Sequence, residues 1–403
     1  MQYDYLTTDQ ELQDFCRAHT QAQVIAFDTE FVSEDTYGPE LCLIQVAADG
    51  HLAIIDPLSI RNHEAFWQLL AAAGHETIVH SGREEFRFCL IEGGQRPTGW
   101  FDVQIAAAFV GMEYPAAYSN LISRLLGKNL SKGETRTDWR KRPLSKRQLD
   151  YAVQDVLYLQ PMRNMLHERM VRLGRESWFV EELTAWQDQL AATLQRPSWR
   201  RLAGIAGLSA RQLAIARALW MWRDEEARQR NCPPRRLLRD DLVVELARRE
   251  SADPQRIRAV RGLEFRHVQR YLPAIAATIE HAMNLDEAEW PRPIRSRSSN
   301  APQLTMLAQF LNTALGCICR SIQLTPGIVA TVDDVRELVA YRMGLVEPGA
   351  ELPALARGWR AEVIGKVMED LLDGRLAIRI VDPLLDQPLA LEPVAAATPS
   401  QPA

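Results

Sequence analysis

The sequence predicts an α/β domain, a mixed sheet flanked by helices, followed by mainly α-helical domains. Three observations lead there. Three β-patterned runs lie close together near the N-terminus, at 22–30, 41–48 and 52–56, and Asp49-Gly50 between the last two suits a tight hairpin turn. Helical and short apolar segments then alternate as far as residue 195. Beyond residue 208, apolar residues recur at helical spacing, as in Leu213, Ile215, Ala216, Leu219 and Trp222.

Taken in order, residues 8–19 read as an amphipathic helix starting near Thr8, and 22–30 as the first strand. Residues 62–73 are helical, 77–80 form a short buried strand, and Ser81-Gly82 opens another helix. A strand at 99–102 ends on Asp102, which suits the N-cap of a helix over 103–110. Residues 118–126 are helical, and Ser145 with Gln148 makes a capping box for a long helix that Pro161 interrupts. A further helix covers 176–194, and Asn231-Cys232-Pro233-Pro234 breaks the first helix of the next domain. Residues 287–302, rich in Pro, Ser and charge, read as a linker; 303–324, 332–341 and 355–372 are helical, and 375–391 holds two short strands.

Length and composition fit this plan. A chain of 403 residues exceeds one ordinary domain. No apolar run is long enough to span a membrane, and the N-terminus has neither a basic start nor an apolar leader core, so a cytoplasmic protein is expected. The cysteines (Cys16, Cys42, Cys89, Cys232, Cys317, Cys319) are scattered, and Cys317-Ile318-Cys319 lacks the second pair of a zinc site. Buried free thiols are the expectation.

The chemistry concentrates in two places. On a strand, Asp28 and Glu30 share one face while Ile25, Phe27, Thr29 and Phe31 take the other. Two carboxylates at the end of a buried strand call for a cation, the alternative being a solvated strand end. On the helix from Ser145, Tyr151 and Asp155 lie one turn apart on one face. A third carboxylate with a phenol beside it is what a two-metal phosphodiester site needs.

These residues, with the stretches FDTEFVSEDTYGPELCLIQVA and TRTDWRKRPLSKRQLDYAVQDVLYL, resemble the tyrosine branch of the DEDD 3′–5′ exonucleases, and within it ribonuclease D. The likeness covers most of residues 1–285. It implies a ribonuclease H-like exonuclease domain over 1–195, an HRDC domain over 208–285 and, more faintly, a degenerate HRDC-like domain over 303–393. It also implies Asp28, Glu30 and Asp155 as ligands of two Mg²⁺ or Mn²⁺ ions, with Tyr151 positioning the nucleophile. The expected activity is trimming of RNA with a free 3′ end, tRNA precursors above all, releasing nucleoside 5′-monophosphates, by a monomer with no membrane partner. A DNA 3′–5′ exonuclease and an RNA-binding adaptor with a weakened nuclease core are the alternatives.

One position departs from the family. Where ribonuclease D has a further metal-binding aspartate, this chain has Glu85, one methylene longer. Glu85 is expected to serve as the fourth ligand; a weakened second-ion site, or Asp102 in that role, are the competing readings. His80 reads as a hydrogen-bonded core residue. The stretch 131–147 carries seven basic residues against Glu134 and Asp138, and Arg228–Arg239 carries five arginines and no acid. Such runs are solvated faces or phosphate contacts. Beside the candidate catalytic helix, Arg136, Arg140 and Arg142 are expected to contact RNA, and Trp139 either stacks on a base or anchors the loop by packing.

Overall fold

A computed structural model describes residues 2–130, 137–195, 199–263, 269–293, 301–346, 349 and 351–394. Arg136 and residues 294–300 of the expected linker lie outside the described residues.

The N-terminal sheet has six strands in the order β1-β4-β3-β2-β5-β6. These are β1 (Asp4–Leu6), β2 (Val24–Val32), β3 (Glu40–Ala48), β4 (His51–Ile55), β5 (Glu76–Val79) and β6 (Trp100–Asp102). The meander β2-β3-β4 is antiparallel, whereas β1, β5 and β6 join in parallel, so the sheet is mixed as expected. Asp49 and Gly50 both take positive φ at the β3–β4 turn, and the Asp49 carboxylate accepts from the backbone N–H groups of Gln23 and Val24. Strand β1 was not anticipated. Three residues are too few to display alternation, and only pairing with β4 makes them a strand.

The helices follow their caps. Thr8 closes a capping box with Glu11 on α1 (Asp9–Ala18), and Ser145 does the same with Gln148 on α6 (Lys146–Leu157). The chain breaks at Tyr158 and resumes as α7 (Leu159–Leu173), which holds Pro161 in its first turn, where a backbone N–H has no helical partner. Helix α6 lies on the sheet through Ala152 and Val153, which pack with Leu43, Ile54, Leu144 and Trp139.

A second core begins earlier than residue 208. Trp199, Leu202 and Ile205 pack with Leu213, Leu219, Val243 and Ile275, so the HRDC-like bundle takes in residues ahead of its expected start at 208. That bundle's helices Ala210–Gln229, Pro234–Leu237 and Asp240–Arg249 are echoed by Pro302–Ser321, Pro326–Val329 and Val332–Arg342 in length and order. The echo supports an HRDC-like origin for the C-terminal segment.

The C-terminal segment does not stand as a separate domain, however. Its Leu304, Leu311, Leu315, Leu338 and Trp359 belong to one continuous core with Phe109 and Phe179 of the nuclease half. The Trp359 ring lies 5.1 Å from Phe109 and stacks on Trp178 at 6.0 Å. Buried Arg175 donates to the carbonyls of Phe109 (2.5 Å), Gln323 (2.7 Å) and Ile322, stitching the two halves through backbone. Among the described residues no helix is long and apolar enough to cross a membrane.

Candidate active site

Asp28 and Glu30 emerge on the face of β2 that α6 covers, paired in register with Gln45 and Leu43 of β3. On the other side, β5 pairs with β2 only from Val24 to Ala26. Beyond that point α3 (Arg83–Ile91) replaces the strand and brings in Glu85. The approach depends on Gly82, since a Cβ there would meet Val79 Cγ2 at 2.3 Å and Trp100 at 2.8 Å. Asp102 sets the same turn: its carboxylate accepts from the backbone N–H groups of Ser81 (3.0 Å), Gly82 (2.9 Å) and Gln104 (2.8 Å). Asp102 is therefore spent as a cap and is not the fourth acid.

Glu85 is buried, and its Oε1 accepts from the Thr29 hydroxyl at 2.5 Å. Neighbouring Glu84 turns outward to pair with Arg87 at 3.3 Å. Tyr151 and Asp155 come from α6, which packs on this face of the sheet. Trp139 stacks against Tyr151 with centroids 6.3 Å apart and holds that ring in place.

Burial and mutual repulsion both act on these acids. Burial, then the charges of Glu85, Asp155 and Glu30, push the Asp28 carboxyl well above its usual range. Burial, then Asp155 and Glu85, raise Glu30 to about 8. Burial raises Asp155 to about 7. It raises Glu85 to about 7 as well, against the Thr29 hydrogen bond, which pulls the other way. Tyr151 is pushed up by burial and then by Asp155, Glu30 and Asp28. Four clustered carboxylates short of countercharge are the hard oxygen donors that Mg²⁺ or Mn²⁺ takes, and the residues fit such ions. Among the described residues no three acids, histidines or cysteines stand close enough together to hold one ion.

The residues expected to contact RNA divide. Trp139 is 4% exposed, so its ring packs between Tyr151 and the sheet and offers no face to a base. Arg142 clamps Asp56 with two bonds of 2.6 and 2.7 Å and donates to the carbonyls of Trp139, Lys141 and Cys42; its donors are occupied by protein, not phosphate. Arg140 is half-exposed and bridges Asp35 and Asp138. The run Arg228–Arg239 is largely neutralised: Arg228, Arg230, Arg235 and Arg239 pair with acids of the flanking helices, and Arg236 reaches the Glu34 carbonyl. His80 is partly buried and hydrogen-bonded, its Nε2 3.0 Å from the Ala116 carbonyl.

Three neighbours of the acids carried no signal strong enough to single them out. Thr29 was legible only as a residue facing away from Asp28. Tyr118, whose hydroxyl donates to the Gln154 carbonyl at 3.0 Å, is close enough to Asp155 and Asp28 to be perturbed by both, after burial. Gln45 offers only the signal of an amide amid apolar strand residues.

Comparison with known proteins identifies the family. Residues 3–171 match a family model described as a 3′–5′ exonuclease, and 212–279 match the HRDC domain. Ribonuclease D of Gluconacetobacter diazotrophicus is 31% identical, over 93% of this chain and 94% of its own; that of Granulibacter bethesdensis is 30% identical over the same shares. The crystal structure of Escherichia coli RNase D, described as an exoribonuclease involved in structured RNA processing, superposes with a TM-score of 0.82 at 28% identity. It covers 93% of this chain and 99% of that one. The catalytic core of RRP6 from Trypanosoma brucei shares the fold, at a TM-score of 0.52 and 20% identity over 70% of this chain and 80% of its own. With relatives of this similarity spanning nearly its whole length, the chain belongs to the ribonuclease D family and is a 3′–5′ exoribonuclease.

Proposed function

We propose that this enzyme trims the 3′ ends of RNA, tRNA precursors foremost, by metal-dependent hydrolysis that releases nucleoside 5′-monophosphates, acting as a monomer in the cytoplasm. The observation that carries the reading is that Asp28, Glu30, Glu85 and Asp155 are buried within reach of one another's charge and of Tyr151. In this reading the four carboxylates hold two Mg²⁺ or Mn²⁺ ions, which when bound activate water and stabilise the leaving 3′-oxygen. Tyr151 keeps its proton at neutral pH, as phenols do, and donates a hydrogen bond that orients the attacking water. Its stack on Trp139 fixes the direction of that bond, and the Arg142–Asp56 clamp fixes the loop carrying Trp139.

The test is a tRNA precursor labelled at its 3′ or 5′ end, incubated with Mg²⁺, Mn²⁺ or chelator beside a matched DNA strand. The reading expects early release of 3′ label as nucleoside 5′-monophosphate, a shortening ladder from the 5′ label, and no turnover with chelator. Internal cuts, or undiminished turnover with chelator, would overturn it.

A further inference from the structure

Gln45 is a buried amide without an internal partner. It lies in the centre of β3 with no exposed surface, and neither its Oε1 nor its Nε2 meets a hydrogen-bond partner among the described residues. No other buried side chain among the described residues leaves both donor and acceptor unmatched in this way. Burying an amide unpaired is costly enough that such groups persist where a partner is supplied under working conditions.

The register says where that partner comes from. Gln45 sits directly opposite Asp28 on one side and Ile54 on the other, so all three project from one face of the sheet. Leu43 and Ile54 on that face pack under Ala152 and Val153 of α6. Around the amide the surroundings are thus apolar, except toward the acid cluster, where Asp28 is the cross-strand neighbour. We propose that Gln45 is a positioning residue of the active site: in the ion-loaded enzyme its Nε2–H donates to the Asp28 carboxylate and fixes the rotamer in which that acid serves. This rests on the reading of Asp28 as an ion-binding residue. An uncharged donor suits the place, because it steadies the ionised carboxylate without competing with a cation for it. Groups that orient a metal ligand in this way typically change metal affinity 10–100-fold when removed.

The experiment measures the thermal transition of the full chain as Mg²⁺ is added, for wild type, Gln45→Leu, Gln45→Met and Asp28→Asn. The apolar variants remove the unmatched amide, so their metal-free transitions should equal or exceed that of wild type. The Mg²⁺ concentration giving half of the thermal shift should rise roughly tenfold or more in each. Gln45→Met, closest in shape, decides should Gln45→Leu pack poorly. If wild type shows a Mg²⁺ shift that Asp28→Asn abolishes, while the Gln45 variants keep wild-type midpoints, Gln45 is only a core residue and the proposal falls alone. If wild type shows no Mg²⁺-dependent shift, the reading of Asp28 falls and takes the proposal with it.

Discussion

The Thr29 hydroxyl donates to Glu85 Oε1 at 2.5 Å, joining the residue between the two strand acids to the buried acid of α3. Thr29 projects from the opposite face of β2 to Asp28 and Glu30, so this bond anchors the longer glutamate from behind. Glu85→Gln should lower kcat/KM by roughly 10²-fold or more, as loss of a preorganised charged group does. Thr29→Val should cost roughly tenfold in wild type and nothing further in Glu85→Asp, whose shorter side chain does not reach the hydroxyl. A double-mutant cycle on kcat/KM measures this coupling, and additive effects would mean that Thr29 does not position Glu85.

Tyr151→Phe should slow single-turnover cleavage by ~10²–10⁴-fold and leave RNA affinity unchanged, since only the hydroxyl is lost. A normal rate would reduce Tyr151 to the packing partner of Trp139.

The acid cluster also sets a pH dependence for the metal-free protein. Glu30 at about 8, and Glu85 and Asp155 at about 7, lie above their ordinary values of 4.5, 4.5 and 3.8. Between those limits the folded chain holds protons that the unfolded chain has released, so stability is present at low pH and falls as pH rises through the window. Without divalent ions the melting temperature should therefore drop from pH 5 to pH 8, and Mg²⁺ should raise it more at pH 8 than at pH 5. Calorimetry at the two pH values, with and without Mg²⁺, checks both signs.

Arg142→Met should destabilise the fold by roughly 3 kcal/mol, because Asp56, 1% exposed, loses its guanidinium partner inside the protein. The salt dependence of RNA binding should not change, as no phosphate contact is removed. A shallower salt slope with unchanged stability would return Arg142 to the RNA surface.

Truncation after residue 293 should not yield a sound nuclease. It strips Leu304, Leu311, Leu315 and Trp359 from the shared core and leaves Arg175 without the carbonyls of Ile322 and Gln323. Loss of soluble product, or a much lower melting temperature, is the expected result. A truncated chain as stable as the whole would show the C-terminal segment to be merely adherent.

What the sequence made legible was local. The capping boxes at Thr8 and Ser145, the Asp49-Gly50 turn and the Asp102 cap each depend on residues within a few positions of one another. The pairings Asp28 with Glu30 and Tyr151 with Asp155 follow from strand and helix periods, although their meeting in one cleft needed the family resemblance. What stayed hidden depends on distant partners. Strand β1 exists because β4 offers it an edge, and Trp139 is inside because Tyr151 and Leu43 cover it. The run Arg228–Arg239 looked bare of acids, yet its partners Asp224, Glu225, Glu226, Asp240 and Asp241 stand just outside it on the flanking helices.

The core shared across the chain bears on how the protein is made. Phe109 and Phe179 leave the ribosome long before Trp359 and Met368, the side chains that complete their surroundings. At 5–20 residues per second, the nuclease half waits roughly 10–35 s with an apolar face uncovered. During that interval it has an incomplete interior and is open to misassembly or to chaperone capture. Cleavage activity is thus expected only after nearly the whole polypeptide has been synthesised, and a chain interrupted midway is expected to aggregate and not to act as a free nuclease.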